Sequence, residues 1–187
     1  MNMINDDMLK RVEKEKDRAA NALAEKNSFL GIYRERVILV LTKEEVEEKI
    51  IYEEVINAIK DKRASLMSMS RSVDLKFLKK YMKLAEDNGI NCKLVDAISF
   101  VGDVGLVISA DDAINDNSDV VIPSIKERLK EANLSDSFYD AINTKISKKH
   151  YKEIQEKCPS ILRYYSEMSS IARFFGVKDI IDEKGDK

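Results

Sequence analysis

The sequence predicts an α/β (α+β) fold with the element order β-α-β-α-β-β, preceded by a helical arm and followed by further helices. Three observations carry that reading. Val37–Leu41 is a continuous apolar, partly β-branched run, as expected of a strand covered on both faces. Segments of helical period alternate with strand-like runs from there to about residue 110, and such alternation favours parallel strands with right-handed crossovers. Beyond residue 111 only helical patterning continues.

The elements follow in order. Residues 1–28 are rich in Lys, Glu, Asp and Ala with sparse apolar positions (Met8, Val12, Leu23), which suits a solvated helix or partly ordered arm. Asn27-Ser28 ends it, and Gly31 permits a sharp turn into the first strand. Thr42-Lys43-Glu44-Glu45 has the T-x-x-E form of a capping box. Val46, Ile50, Ile51, Val55, Ala58 and Ile59 then recur near the helical period. Acidic residues crowd the start of that helix, and Lys60, Lys62 and Arg63 its end, matching the helix dipole. Ala64–Met69 reads as the second strand. Ser72 or Asp74 can cap the next helix, whose buried face is Leu75, Leu78, Met82 and Ala85 and which Gly89 closes. Asn91–Ala97 and Asp103–Ser109 read as the third and fourth strands. Helices are expected near 123–133, 136–157 and 160–175, with Pro159 at a first turn, Gly176 as a terminator and a frayed DEKGDK tail. The domain boundaries are then an arm at 1–28, a single α/β domain with a helical extension at 29–176, and a tail at 177–187.

Composition narrows the function classes. The chain has 187 residues, 35% charged and 44% hydrophobic, with a net charge of −2. A chain of this length buries roughly 70% of its unfolded surface and needs no disulfide or metal staple. Its overall charge points to no polyanion, so any nucleic-acid site must be a local patch. Cys92 and Cys158 lie far apart and form no zinc motif or disulfide framework, which fits a reducing cytoplasm. The charged N-terminus lacks the apolar core of a signal peptide, and Val37–Leu41 is far short of the ~20 residues of a membrane helix.

The stretch FLGIYRERV followed by LT, the segment GDVGLVISADDA, HYKEIQEKCP and the YYSEM…FFGVK ending together resemble the YueI-like family of bacterial proteins of unknown function, from about Phe29 to Gly176. That resemblance implies a mixed four-stranded sheet, similar to the folds of Bacillus-type chorismate mutases and kink-turn-binding ribosomal proteins. It lends no catalytic residue, since fold likeness does not carry function. Kink-turn binders place a Gly-Asn-Glu-type turn where this chain has Thr42-Lys43-Glu44-Glu45, and the carboxylates there repel phosphate.

Two groups of residues suit an anion. Arg34 and Arg36 flank Glu35 just before a buried strand; strand alternation would aim both at one face, where they either snorkel and pair or clamp a carboxylate or phosphate. Ser68, Ser70, Arg71 and Ser72 stand at the carboxyl end of the second strand and the start of a helix, where open sheets and helix N-termini receive ligands. The loop lacks the glycines of a phosphate-binding fingerprint, and serine is also an ordinary cap. Lys76, Lys79, Lys80 and Lys83 repeat at i, i+3, i+4, i+7 and so share one helix face, either solvated or set against a phosphate backbone. Lys145, Lys148, Lys149, His150 and Lys152 form a second basic cluster.

Asp96, Asp103, Asp111 and Asp112 have no metal-loop spacing and suit turn or helix caps, and Gly102-Asp103-Val104-Gly105 reads as a strand entry. His150 is the sole histidine, with no nucleophile assignable to it, and Cys92 reads as a small buried hydrophobe. No catalytic set, cofactor or metal is expected. The leading expectation is a cytoplasmic binding or regulatory protein for a small anionic ligand. RNA binding through the lysine stripe, an oligomeric enzyme with an inter-subunit arginine site, and a scaffold docking through Ile171–Val177 are the alternatives.

Overall fold

The computed structural model describes residues 3–96, 102–114, 120–169 and 179–184. The expectations for Ala97, for Gly176 and for docking through Ile171–Val177 lie outside the described residues, as does the end of the tail. The chain divides into two compact units, Met1–Ile122 and Pro123–Lys187, where the sequence suggests one domain with an extension.

The first unit begins with helix α1 (Met3–Ser28), whose described side chains up to Glu25 are exposed. A 3-10 turn (Arg34–Arg36) leads into β1 (Val37–Thr42). Helices α2 (Lys43–Glu47) and α3 (Glu53–Ile59) precede β2 (Ala64–Ser70). Helix α4 (Leu75–Asp87) connects to β3 (Asn91–Val95), and β4 (Val104–Ala110) completes the sheet. The sheet order is β1-β4-β2-β3. β4 runs antiparallel to both β1 and β2, while β2 and β3 are parallel, so the sheet is mixed. Its register sorts the core. Leu39 and Leu41 of β1, Ile108 and Leu106 of β4, and Met67 and Met69 of β2 lie opposite one another and are buried. Val40 and Val107 form the other face, with Leu30, Val37 and Val120. The Val40 N–H donates to Val120 O at 2.8 Å, so the outer edge of β1 is partly covered. FLGIYRERV therefore closes one end of the sheet: Phe29, Leu30 and Ile32 pack on this apolar cluster.

Caps form where the sequence places them. Thr42 Oγ1 accepts from Glu45 N–H at 3.3 Å, and Glu45 Oε2 accepts from Thr42 N–H at 2.6 Å, the reciprocal bonding of a capping box. Asp74, not Ser72, caps α4 through Lys76 N–H at 2.9 Å. Gly89, at φ 71, ends it, with Ile90 N–H reaching back to Ala85 O at 2.9 Å.

The single helix expected after Thr42 is broken at 48–52. Ile50, Tyr52 and Val55 are all buried, yet residues two apart in a helix point roughly 200° from one another. Only a non-helical step lets Ile50 and Tyr52 enter the same interior. Cys92 also departs from expectation: it is exposed, because β3 is an edge strand with a wet outer half.

The second unit contains α5 (Ile125–Glu131), α6 (Asp136–Asp140), β5 (Lys145–Ile146), α7 (Lys148–Lys157), a 3-10 helix (Pro159–Tyr164), β6 (Ser166–Glu167) and α8 (Ile180–Lys184). The expected helix 136–157 is thus two helices. Asn143 sits at φ 63, outside the right-handed region, and its N–H donates to Tyr164 O at 2.8 Å. Of the helix expected at 160–175, the described part, 160–169, is a 3-10 turn with Pro159 first, followed by β6, which pairs with β5 in parallel.

Gly105 is where the sheet comes closest to the β1–α2 junction. A Cβ there would lie 2.9 Å from both Lys43 Cα and Thr42 O, backbone atoms that cannot swing aside. Gly105→Ala is expected to lower stability by about 1–3 kcal/mol, as overpacking does, read as an earlier midpoint in urea; an unchanged midpoint would contradict this contact.

Candidate functional site

The strand-end loop satisfies its own polar groups. Ser70 and Ser72 share a hydroxyl–hydroxyl bond of 2.7 Å, and Ser72 N–H donates to Ser70 Oγ at 3.3 Å. Arg71 N–H donates to Val95 O, and the exposed Arg71 guanidinium lies 3.4 Å from Asp96. The α4 N-terminus already holds the Asp74 carboxylate, which the Lys76 N–H keeps below the usual carboxylate range. Ser68 is fully buried within β2, so it stands behind the loop and not on it.

Arg34 and Arg36 lie at the other end of the sheet. Val37 and Leu66 both sit opposite Ser109, so Ser70 is four residues further along β2, roughly 13 Å away at the strand rise. The two arginines also diverge. They occupy a 3-10 turn and not a strand, and at three residues per turn positions i and i+2 point about 120° apart. The predicted anion residues therefore form two separate places at opposite ends of the sheet.

The lysine stripe splits in the same way. Lys76, Lys79 and Lys83 are exposed on α4. Lys80 is turned inward, and its Nζ donates to Glu48 O and, at 2.8 Å, to Ile50 O. These are carbonyls left without helical partners by the break at 48–52. Glu48 is itself buried and accepts from Tyr52 Oη at 2.9 Å. Burial of Lys80, opposed by the nearby Glu48 carboxylate, brings its ammonium down to about 8.

A different cluster forms in the second unit. Ser147 caps α7, its Oγ accepting from His150 N–H. His150 is thereby fixed on the first turn, and its side chain is only 8% exposed. Phe138 meets the imidazole edge-on, with centroids 5.6 Å apart. Asp179, from the segment just before α8, accepts His150 Nδ1–H at 2.8 Å and Ser147 N–H at 2.6 Å on one oxygen, and Ile181 N–H at 3.0 Å on the other. Burial alone would raise the Asp179 carboxyl; the bonds from Ser147, His150 and Ile181 outweigh it and hold the group below the usual range. An ionised Asp179 can only accept, so His150 carries its hydrogen on Nδ1 when neutral. The Nε2 lone pair then stands 3.6 Å from Asp182 Oδ1. Both residues line a cleft of about 420 Å³ with Asn133, Leu134, Ser135 and Glu153.

This arrangement differs from a serine hydrolase triad. There the serine faces Nε2 and the aspartate Nδ1; here Ser147 and Asp179 both meet Nδ1. The imidazole is oriented, but its free nitrogen faces a carboxylate. Spacing alone places His150 in a basic cluster and reads the DEKGDK tail as frayed, and it carries no sign of the Asp179 partnership. The signal for the His150 placement is Ser147-Lys148-Lys149-His150, a cap and first turn within a segment whose spacing reads as one longer helix.

A mixed-sheet α+β unit followed by a helical unit defines the architecture. The family model described as "Protein of unknown function (DUF1694)" matches residues 5–122, and the chain belongs to that family. It is similar to the "Uncharacterized protein YueI" of Bacillus subtilis (strain 168), 32% identical over 91 residues that cover 49% of this chain and 69% of the relative. The crystal structure of the Bacillus subtilis YueI protein matches with a TM-score of 0.51 at 26% identity, covering 58% of this chain and 94% of that one. The family match begins before Phe29 and ends at Ile122, so the histidine cleft lies beyond it. Among the described residues no helix is long and apolar enough to cross a membrane.

The Lys80 placement is testable by pH. The folded-state value is below the ordinary 10.5, so the folded chain loses this proton first and stability rises as pH climbs from about 8 to 10.5. Lys80→Met removes the donor to two carbonyls, at a cost of about 1–3 kcal/mol. The wild-type advantage over Lys80→Met is expected to widen across that pH range in parallel urea melts; a constant gap would place Lys80 in solvent.

Proposed function

We propose that this is a binding protein whose ligand site is the cleft of the second unit, and that the site takes a small cationic group. The observation that supports it is the pair of groups facing the cleft, Asp182 Oδ1 and, 3.6 Å away, His150 Nε2, which is an acceptor in the neutral imidazole. Two lone pairs at that separation repel unless a donor or positive charge lies between them. Asp179 holds the imidazole with Nε2 outward, and Glu153, its carboxylate on Lys157 at 2.7 Å, lines the same cleft. The favoured ligand sign is therefore opposite to the anion expected at the Ser70–Arg71 loop, whose groups are already paired.

The test uses the single histidine as a reporter. Guanidinium and methylammonium are expected to shift the His150 imidazole resonances and raise the melting temperature, with Asp182→Asn removing both effects. Acetate and phosphate at equal ionic strength are expected to do neither. Phosphate binding without cation binding would overturn the reading and return the site to Ser70 and Arg71.

Lys76, Lys79 and Lys83, exposed on one helix, support a second reading: RNA binding by the first unit. Three phosphate contacts imply a log–log salt slope of about −2 for a single strand. Anisotropy of a labelled RNA pool over a salt series checks it, and Lys79→Ala with Lys83→Ala should flatten the slope; absence of binding at low salt removes this reading.

A further inference from the structure

We infer that the second unit holds a divalent metal ion of the zinc class, with His150 Nε2 and Asp182 as ligands and Asp179 as the residue that orients the histidine. This rests on the cleft being the ligand site, and it names the cation.

Three features of the geometry point to a metal over an organic cation. The first is spacing. Ligands bonded at about 2.1 Å with a tetrahedral angle between them lie about 3.4 Å apart; Nε2 and Asp182 Oδ1 are 3.6 Å apart, too long for a good hydrogen bond and within a small side-chain movement of a shared ion. The second is the outer partner. Metal-bound histidines donate their other N–H to a carboxylate or carbonyl, which fixes the tautomer and strengthens the ligand. Asp179 takes that part, itself locked by the N–H groups of Ser147 and Ile181. The third is the state of the nitrogen. The imidazole is more than nine-tenths buried, and its Nε2 faces the exposed Asp182 carboxylate at 3.6 Å. His150, Asp179 and Asp182 each bring a ligand atom within 4.8 Å of the others, but Asp179 already accepts three hydrogen bonds, so its part is to hold the histidine.

A further ligand is available one turn along α7. Glu153 lines the cleft three residues after His150, on the same helix face, with its carboxylate now on Lys157 at 2.7 Å. Nitrogen with carboxylate oxygens suits zinc and its first-row neighbours and disfavours copper(I), which wants thiolate or thioether. Water completes the coordination, and the cleft leaves room for it.

The experiment is a titration of the full chain with zinc chloride, followed by calorimetry and by the nitrogen resonances of the one histidine. One equivalent is expected to bind, moving Nε2 far more than Nδ1. Asp182 is exposed at 63% of its side chain, so Asp182→Ala should fold normally and weaken binding tenfold or more. Asp179→Asn keeps both ligands and should weaken binding about 10–100-fold, as loss of an orienting partner does. Zinc binding that leaves the imidazole unmoved, or that survives Asp182→Ala undiminished, overturns the metal site. If guanidinium still shifts His150 in that case, the cationic cleft stands and only the metal falls. If neither shifts it, both fall, and a proton on Nε2 is what separates the two acceptors.

Discussion

The position of β4 governs the first unit. It is bonded along both edges, to β1 and β2, and six of its seven residues are buried. A strand held that way cannot tolerate a charged side chain, and it must meet its neighbours closely. Gly105 meets the closest of them, the Thr42–Lys43 backbone where β1 turns into α2. Lys43 N–H in turn donates to Asp103 O at 2.8 Å. The GDVG segment thus joins the entry of the central strand to a helix cap. Gly105 serves packing there.

The helix break at 48–52 follows from the same crowded interior. Burying Ile50, Tyr52 and Val55 together interrupts the helix and strands two carbonyls. An unsatisfied buried carbonyl costs on the order of 1–3 kcal/mol, and Lys80 removes that cost from the other side of the sequence. A lysine that looks like one of four on a solvated face is therefore structural, and the positive patch on α4 shrinks to three. Surface charge counted from spacing alone overstates a binding face when one member has interior carbonyls to serve.

In the second unit the governing group is Asp179. One carboxylate accepts from the α7 cap, the imidazole and the start of α8. The resulting ionised state dictates which histidine nitrogen carries hydrogen, and hence what the cleft offers a ligand. The chemistry of the site is set by a residue that does not line the cleft.

The sequence by itself determined what depends on neighbours within a few residues: the Val37–Leu41 strand, the Thr42–Glu45 box, the Gly89 stop, the βαβαββ order and the family likeness. Tertiary structure decided what depends on residues far apart. Cys92 is wet because β3 became an edge. Lys80 is buried because carbonyls some 30 residues earlier needed donors. Arg34 and Ser70 are separated because β1 and β2 run parallel on either side of β4. His150 meets Asp179 across 29 residues. Helical period and capping are local energies, legible from spacing; pairing of distant polar groups depends on which interior the chain closes around, and no window of sequence contains that.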